Sequence, residues 1–78
     1  MKVTTLMIQT KNSKESLTFS VGQTLSSDNF ELLTVDSPIN YININTKTGF
    51  IEIKTNEDNF LWYSLNDIKF LSFNGITK

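Results

Sequence analysis

Between Tyr41 and Phe73 apolar and polar residues alternate almost without a break, YININTKTGFIEIKTNEDNFLWYSLNDIKFLSF, interrupted only by short turn signals. A period of two marks strands with one buried face. Packed into so short a span, it predicts an antiparallel meander that the rest of the chain covers on one side. The register of its central hairpin follows from the pattern. Gly49–Thr55 and Asn59–Leu65 flank the turn Asn56-Glu57-Asp58. Pairing Thr55 with Asn59 sets Ile53 opposite Leu61, Ile51 opposite Tyr63, Lys54 opposite Phe60 and Glu52 opposite Trp62. A slip of one residue would mix the faces, so the alternation selects this register. One face is then Ile51, Ile53, Leu61, Tyr63 and Leu65, an aliphatic core face. The other is Phe50, Glu52, Lys54, Phe60, Trp62 and Ser64, aromatic with charges between.

The remaining runs read as further strands. Lys2–Thr10 is β-branched and apolar, and Glu15–Val21 alternates with Leu17, Phe19 and Val21 on one side, so the two predict a hairpin. Gly22 suits a positive φ where that strand breaks, and Leu25 is expected as an isolated core residue. Phe30–Val35 is a third strand whose Leu32-Leu33 pair supplies both faces, ended by Asp36-Ser37-Pro38. In Ile39–Thr46, Ile42 and Ile44 point inward, and Tyr41, Asn43 and Asn45 form a polar row that is expected to be solvated. Thr46–Gly49 returns Ile44 opposite Ile51 and Ile42 opposite Ile53. Asn66-Asp67 breaks the chain before Ile68–Phe73, with the Asp67 side chain expected to accept from backbone N–H groups.

These runs amount to about seven short strands, with a C-terminal meander and no helix longer than a turn. The expected fold is all-β, a small antiparallel barrel or two-sheet sandwich, in a single domain spanning residues 1–78. The strand–Tyr-x-Leu-x-Asp-Ile–strand pattern over Trp62–Phe73 is similar to the closing strands of SH3-like and Sm-like small barrels. Leu, Ile, Val and Phe make up about a third of the chain, above the roughly 20% below which chains tend to stay disordered. A domain of this size buries only about 60% of its unfolded surface, so its core is small.

Chemistry is scarce. The chain has no Cys, His, Arg or Ala. Disulfides, thiolate ligands and His-based acid–base work are therefore absent. No Gly-rich phosphate loop occurs, and the Asp and Glu residues are scattered. The chain is expected not to be an enzyme and to need no cofactor. Asn56-Glu57-Asp58-Asn59 gathers oxygen-bearing side chains that could hold a hard cation, but these are also ordinary turn residues, and no metal site is assigned. The net charge is −1, spread evenly over the two halves, so no charged field marks the partner. No signal peptide or membrane span is legible, and the expected location is cytoplasmic, away from membranes. The Asn-, Ile- and Lys-rich, motif-free composition resembles that of small accessory proteins of phages and mobile elements, inhibitors of host enzymes among them.

The aromatic face carries the functional expectation, and three readings compete for it. It is the second half of the core; or a protein-binding surface, for another protein or a second copy in a homo-oligomer; or a stacking platform for single-stranded nucleic acid, short of the basic charge such binding uses. The protein-binding reading assigns Trp62, Phe60 and Phe50 as anchors, with Lys54, Glu52 and Tyr41 as polar rim.

Overall fold

The computed structural model describes residues 1–28, 30, 35–56 and 59–77. Within them the chain forms eight short strands: β1 Lys2–Val3, β2 Thr5–Thr10, β3 Leu17–Ser20, β4 Thr24–Leu25, β5 Ser37–Asn45, β6 Phe50–Thr55, β7 Phe60–Ser64 and β8 Ile68–Asn74. No α-helix is present among the described residues. Two antiparallel sheets result. One runs β1-β5-β6-β7, with β4 paired to the start of β5, and the other runs β3-β2-β8.

The inner faces of the sheets meet in one aliphatic core. Leu6, Ile8 and Phe19 of the second sheet pack with Val3, Leu25, Ile39, Ile42, Ile44, Ile51, Ile53 and Leu61 of the first, and Phe30, Tyr63, Leu65, Ile68 and Leu71 close its margins. The β6–β7 register is the one required by the alternation: Ile51 faces Tyr63, Glu52 faces Trp62, Ile53 faces Leu61 and Lys54 faces Phe60. The Thr55 N–H donates to the Asn59 carbonyl at 2.9 Å and closes the hairpin. Ile42 faces Ile53 and Ile44 faces Ile51. Between β5 and β6 the Asn45 carboxamide oxygen accepts from the N–H groups of Lys47 and Thr48 at 3.0 and 3.2 Å, and Gly49 takes φ +80°. An Asx-type turn of this kind is a local reason for the chain to reverse there.

Several elements depart from a strict period of two. Lys2–Thr10 is not one strand: it breaks at Thr4, with β1 in one sheet and β2 in the other. Val3, Leu6 and Ile8 are all buried, and the three-residue step from Val3 to Leu6 needs that phase change. The Thr4 N–H donates to the Asn74 and Gly75 carbonyls at 3.1 and 3.0 Å, and its carbonyl accepts from Val21 N–H at 2.9 Å. In β5 the pairing shifts between Ile39, opposite Thr55, and Tyr41, opposite Lys54. Asn40 is the extra residue of this bulge, and it turns Ile39 inward with Ile42 and Ile44. Ser37 and Pro38 begin β5 rather than ending an earlier strand. Pro38 lies at its second position, where its carbonyl accepts from Asn56 N–H at 3.1 Å and the missing donor costs the ladder little.

On β3 only Phe19 is buried; Leu17 and Val21 are exposed. Leu17 lies near the tip of the β2–β3 hairpin, and Val21 lies past the end of β3 in the turn at Gly22, which has φ +90°. Leu25 is buried as expected, on the two-residue β4. The Phe30–Val35 strand and its Leu32-Leu33 pair fall largely outside the described residues; Phe30 is half-buried and Val35 exposed. The break after β7 is a 3₁₀ turn over Leu65–Asp67, capped by the Ser64 hydroxyl, which accepts from Asn66 N–H at 3.3 Å. Ser64 thus fills the capping role that the sequence suggests for Asp67. The Asp67 carbonyl instead accepts from Lys11 N–H at 2.8 Å and ties β8 to the β2 hairpin.

Asp36 anchors the segment that leads into β5. One carboxylate oxygen accepts from Ser27 N–H at 2.8 Å and from the Ser27 hydroxyl at 3.0 Å. These donors hold its pKa below the ordinary value of 3.8. A lowered carboxylate pKa contributes stability that is fully present above the unfolded value and is lost as the pH falls through the folded one. The Ser27 amide resonance is therefore expected to titrate below pH 3.8 and to lose protection from hydrogen exchange there, whereas Asp36→Asn shows no such titration. A Ser27 amide that stays invariant in acid would contradict this anchor.

Candidate functional site: the outer face of β5, β6 and β7

Side chains at alternate positions of one strand share a face. Because the inner positions of β6 and β7 are filled by Ile51, Ile53, Leu61 and Tyr63, the outer positions fall to Phe50, Glu52, Lys54, Phe60, Trp62 and Ser64. Cross-strand pairing arranges them in rows. Lys2, Asn43, Glu52 and Trp62 lie in register across the sheet, as do Tyr41, Lys54 and Phe60, and Asn45, Phe50 and Ser64. Every residue expected from the sequence is therefore brought onto one surface.

That surface is not a second core. Trp62 is 60% exposed, Phe50 38% and Phe60 37%. The three rings form a continuous strip. Trp62 sits 6.0 Å from Phe50, tilted at 49°, and 6.1 Å from Phe60 in an edge-on arrangement at 80°. Both distances lie in the range where aromatic pairs hold one another, so the strip is preorganised. Lys54 Nζ lies 5.7 Å from the centre of the Phe60 ring. Lys2 Nζ lies 4.9 Å from that of Tyr41, a rim cation whose place could not be read from a sequence that hides the β1–β5 pairing.

The polar row beside the strip is bonded rather than merely solvated. The Asn43 Nδ2 donates to Glu52 Oε1 at 2.9 Å, and its Oδ1 accepts from the Met1 nitrogen at 2.9 Å. Asn45 is used in its turn. The Asn43 carboxamide is engaged on both sides, and it holds Glu52 beside Trp62. The Glu52 carboxylate thus lies across from the tryptophan, in the middle of the face.

Among the described residues β7 pairs with β6 alone. Thr55 and Asn59 form one hydrogen-bonded pair, and Leu65 N–H donates to the Gly49 carbonyl at 2.8 Å. Hydrogen-bonded pairs alternate along an antiparallel ladder, so Leu61 and Tyr63 also bond to β6. The N–H and C=O groups of Phe60, Trp62 and Ser64 point the other way, along the edge that carries the aromatic strip.

A pocket of about 620 Å³ opens between β3 and β7, with Phe19, Leu25, Phe30 and Tyr63 in its apolar wall and Glu15 at its lip. Its walls come from separate elements, β3, β4 and β7 among them, so no local sequence pattern marks it. Burial pushes the Tyr63 hydroxyl pKa up, so that group stays protonated at neutral pH. Among the described residues no nucleophile–base pair lines this pocket. Among the described residues no group of three or more carboxylates gathers as a metal site. Of the turn considered for a cation, Glu57 and Asp58 lie outside the described residues. Among the described residues no helix is long and apolar enough to cross a membrane. Comparison with protein-family models, with curated proteins and with solved structures finds no match to this chain.

Proposed function

We propose that this chain is a non-enzymatic protein-binding module whose docking surface is the outer face of β5, β6 and β7. The observation that carries the proposal is the exposure of Trp62, 60% open on a strip of three mutually supporting rings. Exposed aromatics grouped on a rigid sheet and rimmed by polar groups mark binding sites, and Trp is a favoured anchor. Trp62 and Phe60 are the central anchors and Phe50 the third, with Lys54, Glu52 and Tyr41 as rim.

Two features favour a protein over a nucleic acid. The Glu52 carboxylate sits across from Trp62 and opposes a phosphate backbone passing over the rings, in a chain with no Arg. Among the described residues nothing pairs with the neighbouring edge, which presents backbone donors and acceptors in line with the strip, and β7, FLWYS, carries none of the charges or prolines that usually blunt an edge. An extended protein segment can meet both at once, by adding a strand and laying alternate side chains on the rings. A surface of this kind suits an accessory or inhibitory protein that has no chemistry of its own.

The single tryptophan tests this directly. In the dilute chain its emission is expected to be red and readily quenched by acrylamide. Partner binding, or self-association at higher concentration, is expected to shift it to the blue and shield it, with little dependence on salt. A shift caused by oligonucleotides and abolished steeply by salt would replace the protein partner with single-stranded nucleic acid. A blue, unquenched spectrum from a proven monomer would remove the anchor and the proposal with it.

A further inference from the structure

Asn74 ends β8 and Gly75 follows it, and specific contacts surround their shared peptide bond. The Gly75 N–H donates to Asn74 Oδ1 at 2.9 Å, so the backbone nitrogen of Gly75 lies against the side-chain carboxamide of Asn74. The carbonyl oxygen of the same peptide accepts from Thr4 N–H at 3.1 Å and from Thr4 Oγ1 at 3.3 Å. Asn74 and Gly75 are both exposed, so water reaches them. Gly75 has φ +70°, and a Cβ there would land on Thr4 Oγ1. Glycine is therefore what lets the Thr4 hydroxyl approach this peptide, and it also leaves the nitrogen unhindered.

We infer that Asn74–Gly75 is a self-modification site, at which Asn74 deamidates through a cyclic imide with Thr4 assisting. Base removes the Gly75 amide proton, and the resulting negative charge rests largely on the Asn74 carbonyl oxygen. The two Thr4 donors stabilise that charge as donors in an oxyanion hole do. The Gly75 nitrogen, held beside the carboxamide by its contact with Oδ1, then attacks Asn74 Cγ. The new C–N bond closes a five-membered imide. The Cγ–Nδ2 bond breaks, and the nitrogen leaves as ammonia after taking up a proton from water. A second water opens the imide at either carbonyl and leaves aspartate or isoaspartate. Over the whole sequence one water is consumed and one ammonia released, with no oxidant or reductant.

The product changes this corner of the fold. Asn74 faces Thr5 in the β2–β8 ladder, and the tail beyond it returns Thr77 N–H to the Lys2 carbonyl at 2.8 Å. Isoaspartate puts an extra carbon into the main chain at this point. That spoils the alignment of Thr4 with the Asn74 and Gly75 carbonyls and loosens the tie between the tail and β1. Both products add a negative charge.

The test compares the folded chain with the same chain in guanidinium at mildly alkaline pH. Peptide mass mapping follows the change from carboxamide to acid. Folded proteins ordinarily restrain such sites, because the imide needs backbone freedom. Here Asn74 is expected to react at least as fast folded as unfolded, while Asn12, followed by Ser13, lags far behind. Thr4→Val is expected to slow the folded reaction by about fivefold, the worth of one hydrogen bond, and to leave the unfolded rate unchanged. Slower reaction in the folded chain than in guanidinium would overturn the inference, as would a Thr4→Val variant, folded by circular dichroism, that reacts at the wild-type rate. The folded-against-unfolded comparison needs no variant and stands if Thr4→Val does not fold.

Discussion

Phe19→Ala is expected to cost about 3–5 kcal/mol, the usual range for deleting a buried aromatic side chain. Phe19 is 1% exposed and the largest of the fully buried side chains. It projects from β3 in the second sheet and meets Phe30 at 6.2 Å and Tyr63 of β7 at 6.0 Å. It therefore joins the two sheets beside the pocket between β3 and β7. At 78 residues the whole fold is worth on the order of 4–12 kcal/mol. The loss is a large share of that, and the midpoint of thermal unfolding is expected to drop by more than about 12 °C. Leu17→Ala is the control. Leu17 sits two residues away on the same strand but is exposed, and the change is expected to stay within about 0.5 kcal/mol. Urea unfolding of both variants checks the pair. A loss below about 1 kcal/mol for Phe19→Ala would mean that the sheets are held together elsewhere.

The contrast between Phe19 and Leu17 shows where sequence pattern stops being informative. Over Ile42–Leu65 the alternation is strict and each turn is short, so a single register satisfies the faces, and the structure has it. The pattern around Leu17 and Val21 is just as regular, yet only Phe19 is inside. Alternation says which side chains share a face, but burial also needs something opposite that face. Leu17 lies near a hairpin tip and Val21 beyond a strand end, and neither limit is written in the residues themselves. Val3 and Ile39 are the reverse case. Each is out of phase with its neighbours, and each is buried because the backbone changes phase, by a switch of sheets at Thr4 and by a bulge at Asn40. The three-residue spacings Val3–Leu6 and Ile39–Ile42 are the trace such a break leaves in a sequence.

The candidate site divides in the same way. Its membership followed from the hairpin register, because one buried face fixes the identity of the other. Its exposure did not. Whether Phe50, Phe60 and Trp62 face solvent depends on whether another layer covers them, and alternation is the same in either case. The bonding within the polar row is hidden from the sequence for a related reason. Asn43 looks free in one dimension, but pairing sets it beside Glu52, and the two side chains satisfy each other.

The largest effect on binding is expected from Trp62→Ala. The side chain is 60% exposed on the outer face of β7, so its removal forfeits little core packing. The main loss to folding is contact with the Phe50 and Phe60 rings, and stability is expected to fall by about 1 kcal/mol or less. Binding responds differently. A central tryptophan anchor is worth at least about 2 kcal/mol at an interface, close to a thirtyfold loss of affinity. Phe60→Ala, which also removes the ring against which Trp62 packs edge-on, is expected to give the next largest loss, followed by Phe50→Ala at the far end of the strip. Glu52→Gln keeps the hydrogen-bond geometry to Asn43 but removes the charge. It is expected to leave a protein complex nearly unchanged, whereas it would strengthen binding to a phosphate backbone. Calorimetry or sedimentation on folded variants gives the ranking without needing the lost fluorophore. If Trp62→Ala and Phe60→Ala bound or self-associated as wild type does, the strip would be a stabilising cross-strand cluster and no docking surface. If Glu52→Gln bound oligonucleotides more tightly with a steep salt dependence, the same three rings would be base-stacking platforms, and the carboxylate would be the group that holds nucleic acid off them.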